Sequence, residues 1–151
     1  MKKLLYCLLI GGFVMLTVTA NAQFRSIPSV VTDSFKTQYP KATSVSWSDK
    51  VSAFQATFTL DNEKYVARYG SKGEWQNSVK KITKDALPAE VKDGLAKSKY
   101  ADADWEVRSV TTRYLPGNVV QYIILVYKSG LQKKNLLFSS AGQLLKDDST
   151  L

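Results

Sequence analysis

Residues 69–75 read YGSKGEW, and residues 138–144 read FSSAGQL. Each places an aromatic ring four positions before a glycine and a large apolar residue two positions after it. Alone, the first copy has the look of a phosphate-binding loop, with Gly70, Lys72 and Gly73 close together. A phosphate loop needs its lysine and opens a helix. The second copy has Ala141 in the slot of Lys72 and Ser139 in the slot of Gly70, so neither residue is required. The glycine present in both, Gly73 and Gly142, suits the last loop position of a three-residue hairpin, where φ is positive. Both stretches therefore predict β-hairpins. Tyr69 then stands beside Trp75, and Phe138 beside Leu144, as apolar cross-strand pairs.

The self-similarity extends outward. Ile27-Pro28 is followed by Val31 and Phe35; sixty positions on, Leu87-Pro88 is followed by Val91 and Leu95. Proline suits a first helical turn, and apolar residues every fourth position make one buried stripe. Two short amphipathic helices are expected, at about 28–38 and 88–99, with Asp85 capping the second. Gly94 is expected to weaken that helix by about 1 kcal/mol against alanine. After each helix the period becomes two. Val45 and Trp47 alternate with serines, and Trp105 and Val107 alternate with Asp104, Glu106 and Arg108. Phe54, Ala56 and Phe58 find their match in Ile123, Leu125 and Tyr127, now at an offset of 69. The change from 60 to 69 requires nine extra residues between Val107 and Ile123. TTRYLPGNV (111–119) supplies a Pro-Gly turn there, which reads as a longer loop. The expected fold class is α+β: two tandem units, each one helix plus about four antiparallel strands, joined in one long sheet with the helices on one face.

The order Ile/Leu-Pro, helix, Tyr39-Pro40, strand with Trp47, then Tyr69-x-x-x-Gly73-x-Trp75, and again, resembles the PepSY-like, beta-lactamase-inhibitor-like family of exported bacterial proteins. The resemblance covers about 27–148. It implies an α+β fold with each sheet backed by its helix, and an inhibitor-like or binding role. It supplies no catalytic residues. The second unit departs from the pattern, with KYAD (99–102) in place of Tyr-Pro and Leu144 in the slot of Trp75.

Lys2 and Lys3, a nearly continuous apolar run from Leu4 to Val18, and Ala20-Asn21-Ala22 read as a cleaved signal peptide over residues 1–22. The apolar run is shorter than the roughly 20 residues needed to span a bilayer. A periplasmic or secreted location follows, with no membrane span after cleavage. Removing residues 1–22 of 151 leaves 129, one domain of two repeats at about 27–82 and 87–148. The only cysteine, Cys7, leaves with the leader, so core packing alone must hold the fold. The net charge of +8 falls to +6 without Lys2 and Lys3. The lysines are scattered, which reads as a solvated surface.

The sequence has no histidine. With no mature cysteine either, thiol catalysis and ordinary zinc sites have no residues to use. No nucleophile elbow or Ser-x-x-Lys motif is present, and the chain is expected to be no enzyme. Arg68, Tyr69, Lys72 and Trp75 interleave charge with rings, but the export signal argues against a nucleic-acid partner. Asp102, Asp104 and Glu106 could offer calcium hard oxygens. An EF-hand loop from Asp102 fails, because Val107 and Arg113 hold its glycine and glutamate positions. A calcium-responsive envelope protein is thus the alternative reading, and no cofactor is the primary one.

The two units differ most in VVQYIILVY (119–127). The repeat assigns Val119, Ile123, Leu125 and Tyr127 to the core face and Val120, Tyr122, Ile124 and Val126 to the other. A helix covers one face of a sheet, so a second apolar face is either buried by something else or a contact surface. The expected recognition surface combines Tyr122, Ile124 and Val126 with Arg113 and Tyr114 of the 111–118 loop. Its partner is an unidentified protein or peptide of the cell envelope.

Overall fold

The structure, a computed structural model, describes residues 26–128 and 132–149. The leader read at 1–22 lies outside the described residues. The chain runs through α1 (Ser29–Gln38), β1 (Thr43–Lys50), β2 (Ala53–Leu60), β3 (Glu63–Tyr69) and β4 (Trp75–Ile82). A single 3-10 turn leads into α2 (Ala89–Ala96). Then follow β5 (Trp105–Leu115), β6 (Val119–Lys128), β7 (Lys133–Ser139) and β8 (Leu144–Ser149).

All eight strands form one antiparallel sheet in chain order. The α+β class, with its tandem helix-plus-strand arrangement, is therefore corrected. Among the described residues strand outweighs helix, 3-10 turns included, by 54% to 20%, and the α-helices are short elements, ten and eight residues long, laid on a continuous sheet. α2 also ends at Ala96, before the expected 99. Its N-terminal neighbour is Pro88, with no side-chain cap. Asp85 instead offers its backbone oxygen to Lys92 Nζ at 2.7 Å.

Strand partners share a face of the sheet. One such row runs Ala56, Ala67, Ser78, Tyr114, Val120. Another runs Ile82, Val110, Ile124, Leu136. Val31 and Phe35 of α1 pack on Phe54, Phe58 and Tyr69. Val91 and Leu95 of α2 pack on Val110, Ile124 and Phe138. Both helices thus lie on the same side. Phe35 sits edge-on to Phe58 at 5.0 Å and to Trp47 at 5.4 Å. Burying side chains of this size stabilises by about 1.5–3 kcal/mol each relative to exposure.

The two hairpins have the same geometry. Gly70 N donates to Glu74 O at 2.8 Å, and Gly73 N to Gly70 O at 3.1 Å. In the second, Ser139 N donates to Gln143 O at 2.9 Å, and Gly142 N to Ser139 O at 3.1 Å. Gly73 and Gly142 have φ of 84° and 79°. Tyr69 opposes Trp75 and Phe138 opposes Leu144.

The expected 111–118 loop is corrected. Thr111 to Leu115 belong to β5, and only Pro116-Gly117-Asn118 turns the chain. The added length extends a strand. Thr111 to Tyr114 is the stretch that pairs with Lys81 to Ser78 of β4 on one side and with β6 on the other. The extra residues thus join the two halves into one sheet.

Candidate binding surface

Ile124 and Val126 are fully buried, at 0% exposure, beneath α2. Placing them on an open face is corrected by one residue of register. Phe54 opposes Tyr69 and Tyr122 opposes Phe138. The offset from β2 to β6 is therefore 68, while that from β3 to β7 is 69. Three residues separate Lys128 from Gln132, where Asp61 and Asn62 alone separate Leu60 from Glu63. A one-residue slip exchanges every side chain between faces.

Tyr122 is half-buried against the α2 core. Tyr114 shares that face, with its ring centroid 6.4 Å from that of Tyr65. Both line a groove of about 710 Å³ over the middle strands, with Lys80, Glu63, Thr112 and Val120. Lys80 Nζ donates to Glu63 and sits 5.6 Å from the Tyr65 ring centre. Burial pushes the Tyr114 hydroxyl above its ordinary pKa, and nearby Tyr65 adds to that. Opposite Tyr114 on β4, fully buried Ser78 accepts from Trp75 Nε1 at 2.8 Å and bonds the Tyr39 hydroxyl at 2.7 Å. Arg113 stands apart on the opposite face, between Val79 and Gln121. The five expected site residues are therefore not one surface.

The helix-free face carries the other half of β6. Ile123, Leu125 and Tyr127 are half-buried there, and Leu137 of β7 opposes Ile123. Val66 and Val79 pair on the same face, but their row runs on through Arg113 and Gln121, whereas the Ile123 row runs through Thr111 to Lys81. Among the described residues, no helix lies over this face. Arg108 holds its guanidinium 5.6 Å from the Tyr127 ring centre and pairs with Glu106 at 3.2 Å. Sequence reasoning missed Ile123, Leu125 and Leu137 as surface residues. The paired positions are 15 steps apart from Phe54 to Tyr69 but 16 from Tyr122 to Phe138, a difference that the strand register shows and the repeat alone does not.

The acidic candidates do not converge. Asp104 pairs with Lys128 at 2.8 Å, Glu106 pairs with Arg108, and Asp102 Oδ1 accepts from the Asp104 backbone N–H at 3.3 Å. Among the described residues no cluster of three metal-ligating side chains forms. No described helix is long and apolar enough to cross a membrane.

No family model and no curated protein matches the chain. Solved structures do, and they define the architecture as BLIP-like. A DUF2874 family protein from Bacteroides ovatus is 26% identical, with a TM-score of 0.76, over 83% of this chain and 89% of that one. A BLIP-like protein from Bacteroides fragilis is 22% identical, with a TM-score of 0.77, over 85% and 89%. A Bacteroides eggerthii protein named for a periplasmic location is 25% identical, with a TM-score of 0.73, over 83% and 90%. Of the expected resemblance, the BLIP-like fold is supported. These likenesses give the PepSY half no support.

Proposed function

We propose that this chain is an exported, non-catalytic binding module that holds another protein on the helix-free face of its sheet. One observation carries the reading: Ile123, Leu125 and Leu137 form an apolar strip on a face that no described helix covers. An uncovered apolar sheet face serves recognition more often than it stands idle in water. The BLIP-like fold and the periplasmic name of one structural neighbour agree with an exported binding role. A second copy of the chain is the wrong occupant. Arg68 and Arg113 on this face would meet their own like charges.

The test is site-specific photo-crosslinking in the cell envelope. A photoreactive side chain replaces Ile123, or replaces Val30 on the outer surface of α1, which is 46% exposed. The reading expects a discrete protein adduct from position 123 and none from position 30. An adduct from 30 alone sinks it.

A further inference from the structure

The thirteen acidic residues are unevenly placed. Among the described residues, only Glu106 and Asp148 stand on the helix-free face, opposite Tyr127 and Asn135. The others lie on helices, in turns or on the helix-covered face. Asp33, Glu90 and Asp93 are on helices, Glu63 and Asp147 face Lys80 and Tyr100, and Asp49 opposes core residue Phe54. The two acids of the open face are already neutralised, Glu106 by Arg108 and Asp148 by Lys146 at 2.8 Å. Lys64, Arg68, Arg113 and Lys133 stand on the same face, opposite Thr59, Gln55, Gln121 and Tyr127. None of these four forms an ion pair among the described residues. The chain's basic excess is thus directed at one surface: Arg113 and Lys133 stand beside the Ile123–Leu137 strip, and Lys64 and Arg68 extend the positive face to β3, three strands away from β6.

We infer that the partner is acidic: a protein surface that sets carboxylates around an apolar centre. This rests on the docking reading above and adds the partner's chemistry. An apolar strip flanked by cations on the same face matches the apolar core and polar rim of protein interfaces, and opposite charge speeds and selects the encounter. A nucleic acid would satisfy the cations through its phosphates but leave Ile123, Leu125 and Leu137 without an apolar counterpart. A membrane surface takes up residues that protrude from an amphipathic face, whereas these three are half-buried in the sheet.

The experiment is calorimetric titration of the full mature chain with four probes. These are a short peptide alternating Glu and Leu, the same peptide with Lys for Glu, a short single-stranded DNA, and anionic phosphatidylglycerol vesicles. The Glu/Leu peptide is expected to bind, with affinity that falls as salt rises. Lys64→Glu with Arg68→Glu, both exposed in the native chain, should weaken it about tenfold or more at an unchanged melting temperature. Arg113→Gln supplies a milder second variant with the same direction. Equal binding of the Lys/Leu peptide overturns the inference, as does tighter binding of DNA or vesicles. A position-123 adduct that survives the double charge reversal at full yield also overturns it, while leaving the docking face standing.

Discussion

The Gly94 α-carbon of α2 packs directly on the backbone carbonyl of Gly142 in the β7–β8 hairpin. A methyl group built at Gly94 would collide with the Gly142 carbonyl oxygen, and one built at Gly142 would collide with the Glu90 oxygen. The hairpin tip is thus locked under the helix by two glycines that meet backbone to backbone. The β3–β4 hairpin touches α1 in the same way, since a Cβ on Gly73 would come within 2.7 Å of Val30 O.

Gly94→Ala is therefore expected to destabilise, although helix propensity alone favours alanine by about 1 kcal/mol. Backbone cannot yield as a flexible side chain does, so the collision costs about 1–3 kcal/mol. Thermal melting checks this. A melting temperature equal to or above that of the native chain would mean that helix and hairpin do not touch as described.

The corrected face of β6 gives a paired test. Ile124→Ala empties a fully buried site and should cost about 2–5 kcal/mol. Ile123→Ala removes a half-buried side chain from the open face and should cost less than half as much. Urea unfolding of both variants reads the register directly, because a one-residue slip would reverse the order.

Ser78 carries the polar junction between α1 and the sheet centre. Its hydroxyl serves both Trp75 Nε1 and the Tyr39 hydroxyl. Ser78→Ala leaves both groups short of a partner and should cost about 1–3 kcal/mol. Burial already raises the Tyr39 pKa. Tyr39→Phe removes one hydroxyl together with its need for a partner and should cost less, by the same urea measurement.

Acid should loosen the α2 half through Asp147. The Tyr100 hydroxyl, and then Lys99 at 2.9 Å, hold the Asp147 carboxyl below its ordinary pKa. A depressed folded-state pKa gives stability that is present above the unfolded value and lost as pH falls through the folded one. Native stability should drop between about pH 5 and pH 2. Tyr100→Phe should flatten that fall, and an identical pH profile for the variant would contradict the assignment.

The hairpins were readable because positive φ restricts residue choice, which makes Gly73 and Gly142 visible in sequence. The helix stripes were readable because Val31, Phe35, Val91 and Leu95 follow the helical period and are all buried. The face of β6 was not. VVQYIILVY is apolar on both parities, so only the turn length fixes which set faces the core, and a turn longer by one residue moved it. The role of 111–115 was hidden because a lengthened strand and a loop both appear as extra residues. The cationic face was hidden because its charges come from β3, β5 and β7, which chain order separates and strand pairing brings together.

Recognition of an acidic partner by the open face is tested most directly by two charge reversals that shift the net charge equally, read on the position-123 adduct. One variant carries Lys64→Glu and Arg68→Glu on the open face; the other carries Lys41→Glu and Lys84→Glu, exposed residues outside the sheet. Both change the chain's charge equally. The account expects the adduct to be lost in the first variant and kept in the second, with both folded. Equal adduct yield from the two would contradict it.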